Sequence, residues 1–346
     1  MLIELAMNIA GINLVSLLNQ VSVWWHIVIV AAVVVLVFLA GKPDQSGLHL
    51  FAIEPLDTAG SWNNNLGFVN LQYGPAVAYP IILAFFFSLL QANWTYTGYD
   101  ASAHVAEETV GARMASAWGV FLSVAVSAVV GLVLLVMLTW AIPGGDVRAT
   151  ASDPYPVLYI VDHNMPRLFA NLVAIVIGGA MWLCGASSVS SMSRMWYAFA
   201  RDDGMPGARK IRTVHARYGT PVVAILVTSA LAVAISFYAA AFTVITSIST
   251  IALYLAYGIP IYLNFRNRRR RRGEFASSET APWNLRRWAP LVNIISIVWI
   301  LFITVVFSLP PNELVLWTML LLALALSAYW VISARRRFPG PARPPE

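Results

Sequence analysis

Gln91–Thr109 reads QANWTYTGYDASAHVAEET. It follows the apolar run Tyr79–Leu90, which starts as a membrane-spanning helix would. The run then changes character without an intervening loop. Gln91, Asn93, Thr95, Thr97, Asp100, Ser102 and His104 arrive in quick succession, mixed with Trp94, Tyr96 and Tyr99, and Gly98 sits in the middle. Asp100 is the only acidic residue inside the long apolar segments downstream of the N-terminus. A carboxylate at bilayer depth costs at least about 2 kcal/mol, so it must face protein or water. Irregular backbone at that depth is tolerated only where it lines a cavity. Gly98, with β-branched Thr95 and Thr97, weakens a helix there. The stretch therefore predicts a discontinuous helix, broken near Thr97–Gly98, whose break lines a binding site near the midplane. The same residues leave open a continuous helix with a polar end.

Composition agrees with a membrane setting. The chain has 346 residues, 59% hydrophobic and only 11% charged, against about 25% charged in a typical soluble domain. This predicts an all-α, polytopic membrane protein. Cys184 is the single cysteine, so no disulfide forms within one chain. No basic region precedes the first apolar run, so no secretory signal is read at the start. The net charge of +6 is distributed loop by loop and reports topology, not nucleic acid.

Apolar runs of spanning length, about 18 residues or more, fall at Val23–Ala40, Pro80–His104 (broken), Met114–Ile142, Leu168–Ala198, Val222–Phe237, Phe242–Leu263, Leu291–Leu309 and Leu314–Ile332. The run from Val222 is slightly short. Met1–Leu18 is apolar but carries Glu4, Asn8 and Asn13. It reads as the tail of a span, reversing at Asn19–Val21. Basic residues gather in Arg201–Gly219, in Phe265–Trp288 with Arg268–Arg272, and after Ser333. These three regions share one side if the spans alternate. The other side carries Lys42, Arg148 and Arg167 among many carboxylates. The asymmetry predicts a cytoplasmic C-terminus. The segments 41–76 and Gly144–Arg167 read as external surface loops.

The residues also carry a resemblance. NWTYTGYDASAHVAEET resembles the sixth transmembrane helix of amino acid permeases of the amino acid–polyamine–organocation superfamily, nearest its amino acid/choline branch with the fungal GABA and choline permeases. Gly98, Asp100, Ala101–His104 and Glu107–Thr109 carry it. SRMWYAFARDDGMP at Ser193–Pro206 is similar to the family's cytoplasmic end of helix eight, and NIAGINLVSLLNQVSVWWH at Asn8–His26 to the end of helix four and the start of helix five. The resemblance implies an inverted-repeat transporter fold with a broken helix six. On it, residues 1–346 form a single integral membrane permease domain. Residues 1–40 hold the end of helix four and helix five, 78–263 the second five-helix repeat, 289–333 the last two helices, and 334–346 a cytoplasmic tail. Helices one to three and part of four are then absent from this sequence.

The implied function is transport of amino acids or related amines, GABA and choline-like molecules included, by alternating access in the cell membrane. Trp94, Thr95, Tyr96, Thr97 and Gly98 map onto the unwound segment of helix six. An unwound helix frees backbone N–H and C=O groups for a substrate ammonium or carboxylate. Trp94 or Tyr96 can stack over a cationic headgroup; packing aromatics are the plainer reading of the same two rings. Asp100 has three open roles: binding a substrate cation, carrying a proton, or bracing the break. Bracing or coupling is favoured. His104 lies one turn on, so the pair reads as a proton relay or as a buried hydrogen-bonded pair. Glu107 and Glu108 read as gate or loop anchors. On helix eight, Ser187 and Ser188 are candidate substrate contacts and Ser191 a candidate coupling residue; small serines that let helices pack closely are the plainer reading. The coupling ion is H+ or Na+.

No enzyme, cofactor, metal or nucleic-acid reading survives: the His residues are scattered and no phosphate loop is present. Asp202-Asp203-Gly204 reads as a helix end with a turn. The partners are a small-molecule substrate and the lipid bilayer. A different class of function also fits: a truncated, non-transporting membrane remnant or a structural membrane protein. In the family, helix one is the other broken helix and shares the substrate site. Without it, the chain from Met1 is expected to transport poorly by itself.

Overall fold

The computed structural model describes residues 2–40, 64–66, 69–71, 81–236, 241–270, 282–309 and 313–338. Those residues are overwhelmingly helical. In order, the helices are α1 (Leu2–Ala10), α2 (Ile12–Ala40), α3 (Ile81–Thr95), α4 (Ala101–His104), α5 (Ala112–Trp140), α6 (Val147–Ser152), α7 (Pro156–Asn164), α8 (Arg167–Arg201), α9 (Ala208–Ile211), α10 (Val222–Ser236), α11 (Ala241–Arg270), α12 (Ala289–Val306), α13 (Glu313–Tyr329) and α14 (Arg335–Arg337). One short antiparallel hairpin, β1 (Asn64–Leu66) and β2 (Val69–Leu71), interrupts the 41–76 segment and pairs Asn65 with Asn70.

Among the described residues, six helices are long and apolar enough to cross a membrane: Asn13–Ala40, Ala112–Trp140, Arg167–Arg201, Ile245–Arg266, Arg286–Val306 and Val315–Arg337. Their large side chains point outward all round; Leu135 and Leu324 are 62% and 69% exposed. Apolar surface on that scale is what a membrane-crossing helix presents. The two other expected spans are shorter. Val222–Ser236 has 15 residues, with 237–240 outside the described set. Ile81–Thr95 also has 15, roughly 22 Å of helix against about 30 Å of hydrocarbon.

One expected boundary moves. The reversal after the first segment lies at Gly11, with φ +129, and Asn19–Val21 sits inside the 29-residue α2. Such a φ is open to glycine and closed to most residues with a β-carbon. Asn8 fixes α1 beside this corner, donating from Nδ2 to the carbonyls of Glu4 at 2.9 Å and Ala186 at 3.0 Å.

The chain divides into two compact units. The first holds Met1–Leu56, Leu122–Ala200 and Gly207–Ala230, and the second Asp57–Phe121, Arg201–Pro206 and Leu231–Glu346. In the first, Val33 and Val37 of α2 pack with Leu138 of α5, Ile160 and Val161 of α7, and Val173 of α8. The expected external loop Gly144–Arg167 is thus largely the helices α6 and α7. In the second, Ile251 of α11 packs with Ile303, Val306 and Phe307 near the end of α12, against Phe86, Leu89 and Leu90 of α3.

Two glycines let helices of the second unit approach. A β-carbon on Gly258 of α11 would lie 3.3 Å from Ile300 Cδ1. One on Gly119 of α5 would lie 2.6 Å from Ser102 Oγ and 2.9 Å from Ser102 Cβ. The second contact presses α4 onto α5, and rotating the serine hydroxyl cannot relieve the Cβ clash. Gly119→Ala should therefore lower stability by about 1–3 kcal/mol, read as a lower melting temperature in detergent. Adding Ser102→Gly should recover most of the loss.

Candidate functional site

The expected break is present. α3 ends at Thr95, Tyr96–Asp100 form a turn, and α4 starts at Ala101. The amide of Tyr96 is shared between the carbonyls of Ala92 at 3.3 Å and Asn93 at 3.2 Å. Thr97 reaches back only three residues, to Trp94 at 3.0 Å. Tyr99 and Asp100 donate to no backbone carbonyl, and Ala101 bonds to Gly98 at 3.1 Å. The four-residue ladder resumes only with His104 bonding to Asp100 at 3.2 Å. Gly98 takes φ +86 with open space around its α-carbon, a conformation for which glycine has no steric cost. The carbonyls of Thr95, Tyr96 and Thr97 accept no backbone amide from the described residues.

A residue of α11 enters the gap. The Gly98 amide donates to Tyr257 Oη at 3.2 Å. That hydroxyl in turn donates to Asp100 Oδ1 at 2.9 Å. The other carboxylate oxygen of Asp100 lies 3.2 Å from His104 Nε2. One continuous chain thus runs from the opened backbone through a phenol and a carboxylate to an imidazole. Tyr99 packs its ring on Tyr257, centroids 4.5 Å apart. Tyr254, one turn back on α11, donates to the Asn93 carbonyl at 3.3 Å. Pro260 lies three residues beyond Tyr257 and has no amide to donate, so it loosens α11 beside the same site.

The remaining expected residues sort by what they touch. Trp94 is 37% exposed, and Tyr96 and Asp100 are half-buried. Thr95 and Thr97 turn their hydroxyl protons back to the carbonyls of Gln91 at 2.8 Å and Trp94 at 2.6 Å. They offer a ligand their main chain before their side chains. Glu107 takes a two-pronged bond from Arg201, 2.9 Å at each nitrogen, which ties the segment after α4 to the end of α8. That bond holds the Glu107 carboxyl below its ordinary value. The stabilisation is therefore present above the usual glutamate pKa and lost as pH falls through the lowered one. Both side chains are largely exposed (44% and 62%), so solvent screening keeps the pair under about 1 kcal/mol. Glu108 is exposed beside it. α8 ends at Arg201, and Asp203 follows at φ +55, so the Asp-Asp-Gly stretch is a helix end with a turn. Tyr329 donates to the Gly204 carbonyl there at 3.4 Å.

Ser187, Ser188 and Ser191 belong to the first unit, on α8. Ser187 Oγ lies 2.7 Å from Asn19 Oδ1 and 3.0 Å from the Leu183 carbonyl, and its one proton serves one of them at a time. Ser188 donates to the Cys184 carbonyl at 2.9 Å.

The family described as "Amino acid permease" matches residues 1–332. The chain belongs to the amino acid permease family. It is 29% identical to the amino-acid permease BAT1 of Arabidopsis thaliana over 98% of this chain and 65% of that protein. It is 28% identical to a BAT1 homolog of Oryza sativa subsp. japonica, over 97% and 64%. A GABA-specific permease of Saccharomyces cerevisiae is 24% identical over 61% of this chain and 35% of its own length. The chain thus spans about two thirds of the length of the two plant relatives. The family is one of transporters, and with six spanning-length apolar helices among the described residues the chain is a multi-pass membrane protein.

Tyr254, Tyr257, Arg201 and Asn19 escaped the sequence reading as site residues. Tyr254 and Tyr257 stand three apart just before Gly258 and Pro260 in an apolar run. That spacing on one helix face was the available signal. Nothing in the sequence near Glu107 singles out Arg201 as its partner. Tyr257→Phe keeps the ring and removes the hydroxyl, leaving the Gly98 amide and one Asp100 oxygen without this partner. It should lower stability by about 1–3 kcal/mol, measured as a shift in thermal unfolding. An unchanged melting curve would mean water replaces the hydroxyl.

Proposed function

We propose that the break between α3 and α4 is the substrate site of a transporter for amino acids or related amines, GABA and choline-like molecules included. The observation that carries this is the opened backbone. The carbonyls of Thr95–Thr97 accept from no backbone amide among the described residues and suit an ammonium group; the amide at Tyr99 suits a carboxylate. Both ends of a zwitterion meet partial charges fixed in the main chain, with no full charge left in lipid. Trp94 and Tyr96 offer aromatic faces to a cationic head. Membership of the family, and a yeast relative named for GABA, support the class.

On this reading Asp100 braces the break and, with His104, forms the coupling element for H+, while Glu107 and Glu108 serve the gate. Ser187 and Ser188 as substrate contacts, and Ser191 as a coupling residue or Na+ contact, rest on the family resemblance alone. Residues 1–346 belong to a single permease domain that works by alternating access in the cell membrane. The loop charges support a cytoplasmic C-terminus.

The test is saturable binding of labelled GABA, choline and a panel of amino acids to vesicles carrying this chain. A protease-protected tag after Glu346 reports the orientation. Binding of at least one compound, abolished by Gly98→Leu, which forces a bulky side chain into a left-handed backbone, is the expected result. No binding across the panel, or binding untouched by Gly98→Leu, would overturn the site.

A further inference from the structure

We propose that Trp283–Trp288, at the entrance to α12, is a binding site for the headgroup of an anionic glycerophospholipid. The segment reads WNLRRW and is built as a fixed turn. Trp283 stands edge-on to Trp118 of α5, centroids 4.8 Å apart at 83°, and packs on Phe121 at 5.6 Å. Asn284 Oδ1 accepts the amide of Arg286 at 2.8 Å, an Asx turn. Trp288 closes the loop by donating its amide to the Leu285 carbonyl at 3.0 Å.

Within this turn Arg286 adopts φ +46, one of two non-glycine residues at positive φ among the described residues. A β-carbon disfavours that conformation, and glycine would take it freely. An arginine held there spends backbone strain on placing a guanidinium, and strain of this kind gathers at ligand contacts. Arg287 follows, its guanidinium 5.5 Å from the centroid of the Trp288 ring. Neither arginine is paired with a carboxylate among the described residues. Leu285 and Trp288 are 45% and 56% exposed beside them.

The location identifies the ligand. Arg286 begins one span, and the neighbouring span, packed against it, ends at Arg266, also exposed. Both guanidiniums therefore sit where a membrane helix leaves the hydrocarbon. A planar guanidinium binds phosphate through two parallel N–H donors. The exposed Leu285 and Trp288 suit the acyl-chain and carbonyl region directly beneath a headgroup. Charge complementarity thus favours a lipid of net negative charge over a zwitterionic one.

The test is native mass spectrometry of the full chain released from phosphatidylcholine nanodiscs doped with phosphatidylglycerol, with inorganic phosphate added in a parallel arm. Selective retention of phosphatidylglycerol, undiminished by free phosphate, is expected. Arg286→Gly suits the left-handed backbone, so it removes the side chain without endangering the fold. Arg286→Gly and Arg287→Gln should each weaken retention about fivefold, the ratio set by about 1 kcal/mol per guanidinium near an anionic surface. Arg286→Lys should restore part of it. The pair Arg335→Gln/Arg336→Gln, in the basic segment after α13, should leave retention unchanged. Equal loss from that control pair would show diffuse surface charge and overturn the site. Equal retention of phosphatidylcholine, or displacement by free phosphate, would overturn the lipid assignment.

Discussion

A backbone group stripped of its ladder partner needs another donor or acceptor. The interruption between α3 and α4 opens several such groups at once. The Tyr257 hydroxyl answers one of them directly, accepting from Gly98 while donating to Asp100. That single hydroxyl ties the break to α11 and gives the Asp100 carboxylate a second partner besides His104. Without a donor on that oxygen, a half-buried carboxylate would face the same penalty as the backbone does. Gly98 and Tyr257 are therefore complementary. The glycine permits the conformation, and the tyrosine satisfies what the conformation exposes.

The rest of the second unit positions that hydroxyl. Tyr254 holds the Asn93 carbonyl one turn away. Gly258 lets α11 lie close to Ile300 of α12, and the Ile251, Ile303 and Phe307 cluster joins these helices to α3. Gly119 brings the short α4 onto α5 through Ser102. The Glu107–Arg201 pair fastens the chain just beyond. Apolar packing sets where the elements lie, and a few polar contacts fix the angle at which helix six is interrupted. The proposed substrate chemistry needs the opened carbonyls and amides to stay in place without a ligand, and this scaffold provides it.

Much of this was legible in the sequence because it follows from local constraints. Lipid-facing helices announce themselves by length and apolarity, and five of the eight expected runs reappear as spanning helices with ends moved by a few residues. A sixth, the run from Val23, starts about ten residues earlier than expected. Gly98, directly after two β-branched threonines at 95 and 97 and two residues before a lone carboxylate, marked the break. Partners distant in sequence were not legible. Tyr257 lies 157 residues from Asp100, and Arg201 lies 94 from Glu107; no local pattern encodes either. The corner at Gly11 was misplaced to Asn19–Val21 because the polar Asn19 and Gln20 looked like a loop. They continue α2, and Asn19 meets Ser187. The segment 144–167 read as an external loop, with prolines at 154, 156 and 166. Pro156 instead opens α7, at a position where a missing amide costs nothing.

Hydrogen–deuterium exchange of the chain in lipid, resolved to single amides by fragmentation, tests the interrupted helix most directly. The account predicts strong protection through Phe86–Leu90, fast exchange at Tyr99 and Asp100, and intermediate protection at Gly98 that Tyr257→Phe abolishes. Uniform protection from Ile81 to His104, unchanged in Tyr257→Phe, would describe an unbroken helix and contradict it.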